Sequence, residues 1–301
     1  MKNELCAKSM EKSTVKNLKV QSQEEWTEVI EPHKPWWQLN LGELWRYRDL
    51  VVLLVRRDFV AQYKQTILGP LWHIITPLLS TLIYTIVFGN IARLPTDGIP
   101  PFLFYLCGTT FWSYFAKCLT STADTFVANQ HIFSKVYFPR LVMPVSQVIS
   151  AGIGFAIQLG LFWLFALYAF VQGAPIHLSW AVSLFPLLVL LMIMLGLGMG
   201  IIVSAMTTKY HDLRHVVSFG VQLLMYATPV IYPLSMVPAK WQKWLLFNPL
   251  TSLMEAFRLA FLGEGFFDIY WFVYSALACL LVLIVGMIGF NRVEKVFVDT
   301  V

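Results

Sequence analysis

Arg57 and Lys64 stand seven residues apart on a stretch with helical periodicity, so two helical turns bring both cations to one face. Cations placed this way at a membrane edge have two uses. They hold an anionic group through charge-assisted hydrogen bonds, or they snorkel their charges to lipid headgroups. Leu68-Gly69-Pro70 follows and ends the helix, and a glycine there permits close backbone approach. A hinge and a plain helix-to-span turn both fit that break. Lys117 and Asp124 are also seven apart, in an apolar run. Intramembrane charges face a bundle interior or water, so Lys117 either lines a conduit or snorkels toward the cytoplasm. His211 and His215 are four apart with Asp212 nearby, a spacing that suits a metal pair on a helix; a cytoplasmic loop feeding the next span is the simpler role. There is no GxxxxGK[ST] loop, no HExxH, no nucleophile elbow and no dense carboxylate cluster. The chain therefore carries no P-loop for ATP and no expected catalytic, cofactor or metal residues. Cys6, Cys107, Cys118 and Cys279 lie far apart without a CxxC pair, which suggests neither a disulfide framework nor a zinc site.

Hydropathy sets the elements that must position these groups. The 301 residues are 57% hydrophobic and 13% charged, against about 25% charged in soluble domains. Apolar runs of the ~20 residues needed to cross a hydrocarbon core recur. They are continuous rather than alternating, which argues against a β-barrel. The reading is an all-α integral membrane protein. Its net charge of +5 reflects basic residues gathered at cytoplasmic membrane edges, not a nucleic-acid surface.

Residues 1–25 are polar and aperiodic, without the apolar core of a signal peptide. Residues 26–43 hold Trp26, Trp36 and Trp37 among prolines and charges, a segment lying on headgroups or packed on a partner. Together 1–43 form a polar N-terminal cytoplasmic extension, and 44–301 form the transmembrane domain. Leu44, Tyr47, Val51, Leu54 and Val55 follow helical spacing among Arg46, Arg48, Arg56 and Arg57, as in an amphipathic interface helix. Six spans are expected near 71–91 (Pro77 inside), 102–122, 141–171, 180–206, 216–237 and 269–290. The apolar segment 238–266 contains Asn248, Pro249, Glu255 and Arg258. Each charge costs about 2.5–3.5 kcal/mol at mid-bilayer, so a re-entrant helical pair that keeps these groups near water is preferred to a seventh span. Basic residues agree. With six spans Arg46, Arg48, Arg56, Arg57, Lys64, Lys135, Arg140, Lys209, Arg214, Arg292 and Lys295 fall inside, against Arg93, Lys240, Lys243 and Arg258 outside. Both termini are then cytoplasmic. Gly196, Gly198 and Gly200 include a GxxxG spacing, a mark of close helix packing within or between subunits.

Five stretches carry a family resemblance. The first is Arg57-Asp58 with Tyr63-Lys64, Leu68-Gly69, Trp72 and Pro77. The second runs from Asn129 to Pro144. The third is Tyr210-His211-Asp212-Leu213-Arg214. The fourth is Thr228-Pro229-Val230-Ile231-Tyr232-Pro233. The fifth is Phe247-Asn248-Pro249-Leu250 with Glu255, Phe257 and Arg258. In this order and spacing, over roughly residues 40–295, they resemble the type-2 ABC permeases that export polysaccharides and polyol phosphates. The N-terminal extension is most similar to that of permeases for lipid-linked O-antigen polysaccharide. The resemblance implies six spans, an N-terminal interface helix, a gate helix before span 1, and re-entrant periplasmic helices between spans 5 and 6. It also implies an inner-membrane homodimer with two copies of a separate ATPase subunit, which would hold ATP and magnesium. Its cargo would be a glycan on a polyprenyl diphosphate.

On that resemblance, Arg57, Tyr63, Lys64, Leu68 and Gly69 form the gate, with the two cations receiving the carrier's diphosphate. Phe133, Val136 and Tyr137 form an apolar patch bracketed by Asn129, Lys135 and Arg140, which would dock on the ATPase; a helix lying on lipid is the alternative. Asn248, Pro249, Glu255 and Arg258 belong to the periplasmic re-entrant pair. Trp112, Tyr114 and Lys117 are candidate channel lining, since aromatic faces suit sugar rings, although ordinary packing explains any single aromatic. Teichoic-acid or capsule export uses the same architecture. An integral membrane glycosyltransferase would need acidic residues grouped at the membrane edge, and Asp124, Asp212 and Asp268 are scattered. A secondary transporter would pair ionisable residues at mid-membrane and show an internal repeat, and neither is seen.

Overall fold

The computed structural model describes residues 41–64, 66–129, 132, 138–207 and 212–298. Among these residues all regular structure is helical. Two helices precede the first span: α1 (Leu41–Arg46) and α2 (Arg48–Tyr63). A 3-10 turn at Gly69–Leu71 leads into α3 (Trp72–Tyr84), whose end widens into a π-helix at Thr85–Ile91. Then come α4 (Pro101–Ala123), the short α5 (Thr125–Ala128) and the 30-residue α6 (Val142–Val171). A 3-10 turn at Trp180–Leu184 starts α7 (Phe185–Thr207), which is followed by α8 (Leu213–Tyr226). Helices α9 (Ala239–Leu246) and α10 (Pro249–Leu262) precede α11 (Ile269–Val298).

Four described segments are long and apolar enough to cross a membrane: Gly69–Ile91, Val142–Val171, Trp180–Thr207 and Ile269–Phe290. The pair α9 and α10 meets the same criterion only jointly, and it is bent by 102°. Helix α4 is long enough but carries Tyr, Thr, Ser and Lys side chains. It packs against α3, α6, α7 and α10 and buries most of its length, so little of it needs to suit lipid. Helix α8 ends at Tyr226, eleven residues short of the span expected at 216–237. Its 14 residues rise only about 21 Å. The Thr228-Pro229 step stops it: proline lacks the N–H that would continue the ladder and pushes the residue before it out of helical conformation. Thr228 then donates its hydroxyl back to the Leu224 carbonyl at 2.8 Å.

The glycines of α7 serve packing within the chain. A Cβ on Gly200 would lie 2.5 Å from Thr122 Cβ, and one on Gly196 would lie 2.8 Å from Cys118 Cβ, both on α4. On the opposite face a Cβ on Gly198 would meet the Leu283 backbone of α11 at 2.8 Å. Glycine thus lets α7 sit between two helices at near-backbone contact.

The expectation that Glu255 and Arg258 stay near water is wrong. They are 2% and 1% exposed. Arg258 donates to Glu255 Oε1 (2.9 Å), to the Val230 carbonyl (2.8 Å) and to the Tyr232 carbonyl (3.3 Å), and its guanidinium lies 4.0 Å from the Phe104 ring centroid. Glu255 Oε2 accepts from the Phe266 N–H at 3.0 Å. A buried charge is tolerated when it is paired and hydrogen-bonded, and this pair ties α10 to the 228–233 turn and to the loop before α11. Asn248 caps α10 by accepting from the Leu250 N–H, with Pro249 at the first helical position, and donates to Thr228 Oγ1 at 2.9 Å.

The apolar stripe of α2 is used on protein. Val51 and Leu54 are buried against Phe138, Val142 and Met143, with Leu44, Tyr47 and Val55 beside them. Val52, Leu53 and Val60 face outward, each more than half exposed.

Candidate functional site

Helices α2, α3, α4 and α6 wall a cavity of about 910 Å³. The α6 wall is the stripe Gln147, Ala151, Gly154 and Gln158, spaced i, i+4, i+7, i+11 on one helical face. The α4 wall supplies Thr109, Ser113, Thr120 and Ser121 with Trp112, Tyr114 and Lys117; the α3 wall supplies His73, Thr76, Ser80 and Tyr84. Seven small hydroxyls and four amides therefore share the lining with aromatic and small apolar side chains. Gly154 makes room for the His73 ring, since a Cβ there would come within 2.9 Å of it.

A hydrogen-bonded chain joins three helices at one end of the cavity. Arg57 contacts Asp58 Oδ1 through Nε (2.8 Å) and Nη2 (2.6 Å) and donates from Nη2 to Asn129 Oδ1 (3.2 Å). Gln147 donates to the second Asp58 oxygen at 2.6 Å. Asn129, itself buried, donates to the Thr125 carbonyl at 3.0 Å and so closes the end of α5. The chain links α2 to the start of α6 and to the residue directly before segment 130–137.

Of the expected gate residues, Arg57 lines the cavity. Lys64 is exposed at the C-cap of α2 and is not part of the wall. The Tyr63 ring meets Phe59 and His73 edge-on, at 4.9 and 5.6 Å. Its hydroxyl has no hydrogen-bond partner among the described residues, and burial pushes the phenol pKa up. Leu68 is exposed, and Gly69 has φ +48° with open space around it, so the requirement for glycine there is conformational. Trp112, Tyr114 and Lys117 all line the cavity, and Tyr114 stacks on Phe155 at 4.6 Å. Arg140 is half-buried in the turn before α6; Phe133, Lys135 and Tyr137 lie outside the described residues, as does His211. Asn248, Pro249, Glu255 and Arg258 sit together at α10, away from the cavity wall.

Sequence reasoning assigned no role to Asp58, His73, Gln147 or Gln158. The signal was present: Gln147 and Gln158 are polar interruptions eleven residues, or three turns, apart in a 30-residue apolar helix, where a polar side chain points to a bundle interior or cavity.

Residues 49–262 match the model of the ABC-2 type transporter family. The chain belongs to this family. It is 31% identical over 260 residues to the O-antigen export system permease protein RfbA of Klebsiella pneumoniae, covering 86% of this chain and 96% of the relative. It is 32% identical over 221 residues to a protein of the same name from Myxococcus xanthus, covering 73% and 82%. It is 25% identical over 248 residues to the polysialic acid transport protein KpsM of Escherichia coli, covering 81% and 93%. The ABC-2 transporter is thus a multi-pass membrane protein, and the matched region takes in all four walls of the cavity, from α2 to α6.

Proposed function

We propose that this ABC-2 transporter is the permease subunit of an ATP-driven exporter that moves a polyprenyl-diphosphate-linked polysaccharide of O-antigen type across the inner membrane. The observation that carries the reading is a cavity lined in part by hydroxyls and amides, with a guanidinium among its lining residues, in a chain that covers 96% of an O-antigen export permease at 31% identity. A diphosphate cannot cross hydrocarbon unaccompanied, and glycan hydroxyls need hydrogen-bonding partners along the way.

In this reading residues 1–43 are a cytoplasmic extension and 44–301 the transmembrane domain, with both termini cytoplasmic. Helix α2 is an interface and gate helix whose outward Val52, Leu53 and Val60 meet lipid. Arg57 and Lys64 receive the carrier's diphosphate beside the Leu68-Gly69 hinge. The six spans are Gly69–Ile91, α4, α6, Trp180–Thr207, α8 with the turn after it, and Ile269–Phe290. Helix α4 spans because protein rather than lipid surrounds it, and the sharply bent α9 and α10 are the re-entrant periplasmic pair. The permease works as a homodimer with two ATPase subunits that hold ATP and magnesium. Segment 129–140 docks on them, and the Arg57–Asn129 hydrogen bond connects that segment to the gate.

The test is copurification with a P-loop ATPase and its ATP hydrolysis rate, in nanodiscs, against lipid-linked glycan concentration. Arg57→Ala with Lys64→Ala should raise the half-saturating glycan concentration while basal hydrolysis changes much less. An unchanged half-saturation and maximum would refute the gate assignment, and failure to associate with any P-loop ATPase would refute the exporter reading. Capsular polysaccharide is the second reading, on the similarity to the polysialic acid transport protein. Loss of O-antigen rather than capsule from the cell envelope on deletion separates the two.

A further inference from the structure

Charge bookkeeping in the cavity leaves one cation over. Its lining residues include Arg57, Asp58 and Lys117. Asp58 is the carboxylate of the wall, and both of its oxygens are engaged, one by Arg57 and one by Gln147. Lys117 lines the same cavity and is exposed, and its ammonium makes no hydrogen bond or ion pair among the described residues. Asp124, seven residues on, pairs instead with Arg214 at 3.0 Å. A second group on the wall is unsatisfied: Gln158, nine-tenths buried, has no hydrogen-bond partner for its Oε1 among the described residues. An ammonium without a counter-charge calls for an anion, and an orphan carboxamide oxygen calls for an O–H or N–H donor.

The two groups have a definite spacing. Phe102 meets Phe165 and Tyr114 meets Phe155, so α4 and α6 run antiparallel and a residue on one lies level with a partner such that the two numbers sum to about 268. Lys117 is then level with Ala151, and Gln158 lies seven residues farther along α6, about 10 Å at 1.5 Å per residue. Gln147, which holds Asp58, lies on the other side of Lys117. The wall therefore reads in order: the neutralised Arg57–Asp58 pair, the free ammonium, then the orphan acceptor. A diphosphate followed by one sugar ring spans a gap of this size, anion first and hydroxyl donors next.

We propose that the cavity holds a phosphoryl subsite centred on Lys117, with Gln158 Oε1 accepting a hydroxyl hydrogen from the adjoining sugar. The inference rests on the export reading and deepens it: the ligand is a phosphorylated sugar end, bound beyond Arg57, with the phosphate at Lys117 and the sugar toward Gln158.

The experiment uses the full-length chain in nanodiscs of uncharged phosphatidylcholine. Binding of four probes is measured: a short polyprenyl diphosphate carrying one hexose, the same lipid-linked hexose without phosphate, the polyprenyl diphosphate without sugar, and inorganic pyrophosphate. Lys117→Gln should weaken both diphosphate lipids about tenfold or more, the size of a lost charge-assisted hydrogen bond, and leave the phosphate-free hexose lipid unchanged. Lys117→Met should repeat the loss and Lys117→Arg should retain most of the binding, which separates charge from folding. Gln158→Leu should weaken the two hexose lipids about two- to tenfold and spare the sugar-free diphosphate. Pyrophosphate binding as tightly as the lipids, and lost in Lys117→Gln, supports the subsite and assigns it to free phosphate; pyrophosphate binding much more weakly supports it as a lipid headgroup site. Equal affinity of Lys117→Gln and wild type for the diphosphate lipids overturns the subsite while leaving the export reading intact. Wild-type binding of none of the four probes overturns both.

Discussion

Replacing Arg258 by Met tests whether the buried ion pair holds the α10 hairpin together. Arg258 makes three hydrogen bonds, to Glu255, Val230 and Tyr232, and lies over the Phe104 ring. Methionine of similar length keeps much of the packing but strands the Glu255 carboxylate at 2% exposure, with the Phe266 N–H as its remaining partner. Breaking a buried pair by removing one member costs about 3–5 kcal/mol, because the other charge stays desolvated. Adding Glu255→Gln removes that charge, and the amide oxygen still accepts from Phe266. The double variant should therefore recover about 1–3 kcal/mol, the range of coupling between contacting residues. SDS-driven unfolding of the purified chain in mixed micelles, followed by tryptophan fluorescence, measures all three proteins. A loss below about 1 kcal/mol for Arg258→Met would show that its charge reaches water. A double variant no more stable than the single would show that the stranded carboxylate is not what costs the energy.

Two further outcomes follow from the packing and the charge pattern. Gly198→Val drives side-chain atoms into the Leu283 backbone and should cost about 1–3 kcal/mol by overpacking, lowering the thermal unfolding midpoint in detergent; Gly160→Val, with nothing within 4 Å, should leave it unmoved, and equal midpoints would refute the close contact of α7 and α11. Cysteine labelling of single-cysteine chains in intact cells should find the C-terminus protected and position 240 reactive, and a C-terminus labelled from outside would refute the six-span topology.

Hydropathy and breaker residues made the helical membrane class readable, together with the segments Gly69–Ile91, Pro101–Ala123, Val142–Val171, Trp180–Thr207 and Ile269–Phe290 to within a few residues and the positive-φ glycine at Gly69, although α2 already ends at Tyr63. These are local properties: a run of apolar side chains needs lipid or protein around it whatever the rest of the chain does, and a glycine at positive φ or a proline acts on its own backbone. The five motif stretches also sufficed to point to the family. What sequence could not decide was how polar groups would be shared among helices. Asp58 and Gln147 are 89 residues apart, and Arg57 and Asn129 are 72 apart; no periodicity announces such pairs. Taken as single charges against hydrocarbon, Glu255 and Arg258 belong near water, whereas the carbonyls of Val230 and Tyr232 and the amide of Phe266 arrive from other segments to make burial tolerable. The cost of a polar group inside a membrane protein depends on its partners, and only the packed chain brings those partners together.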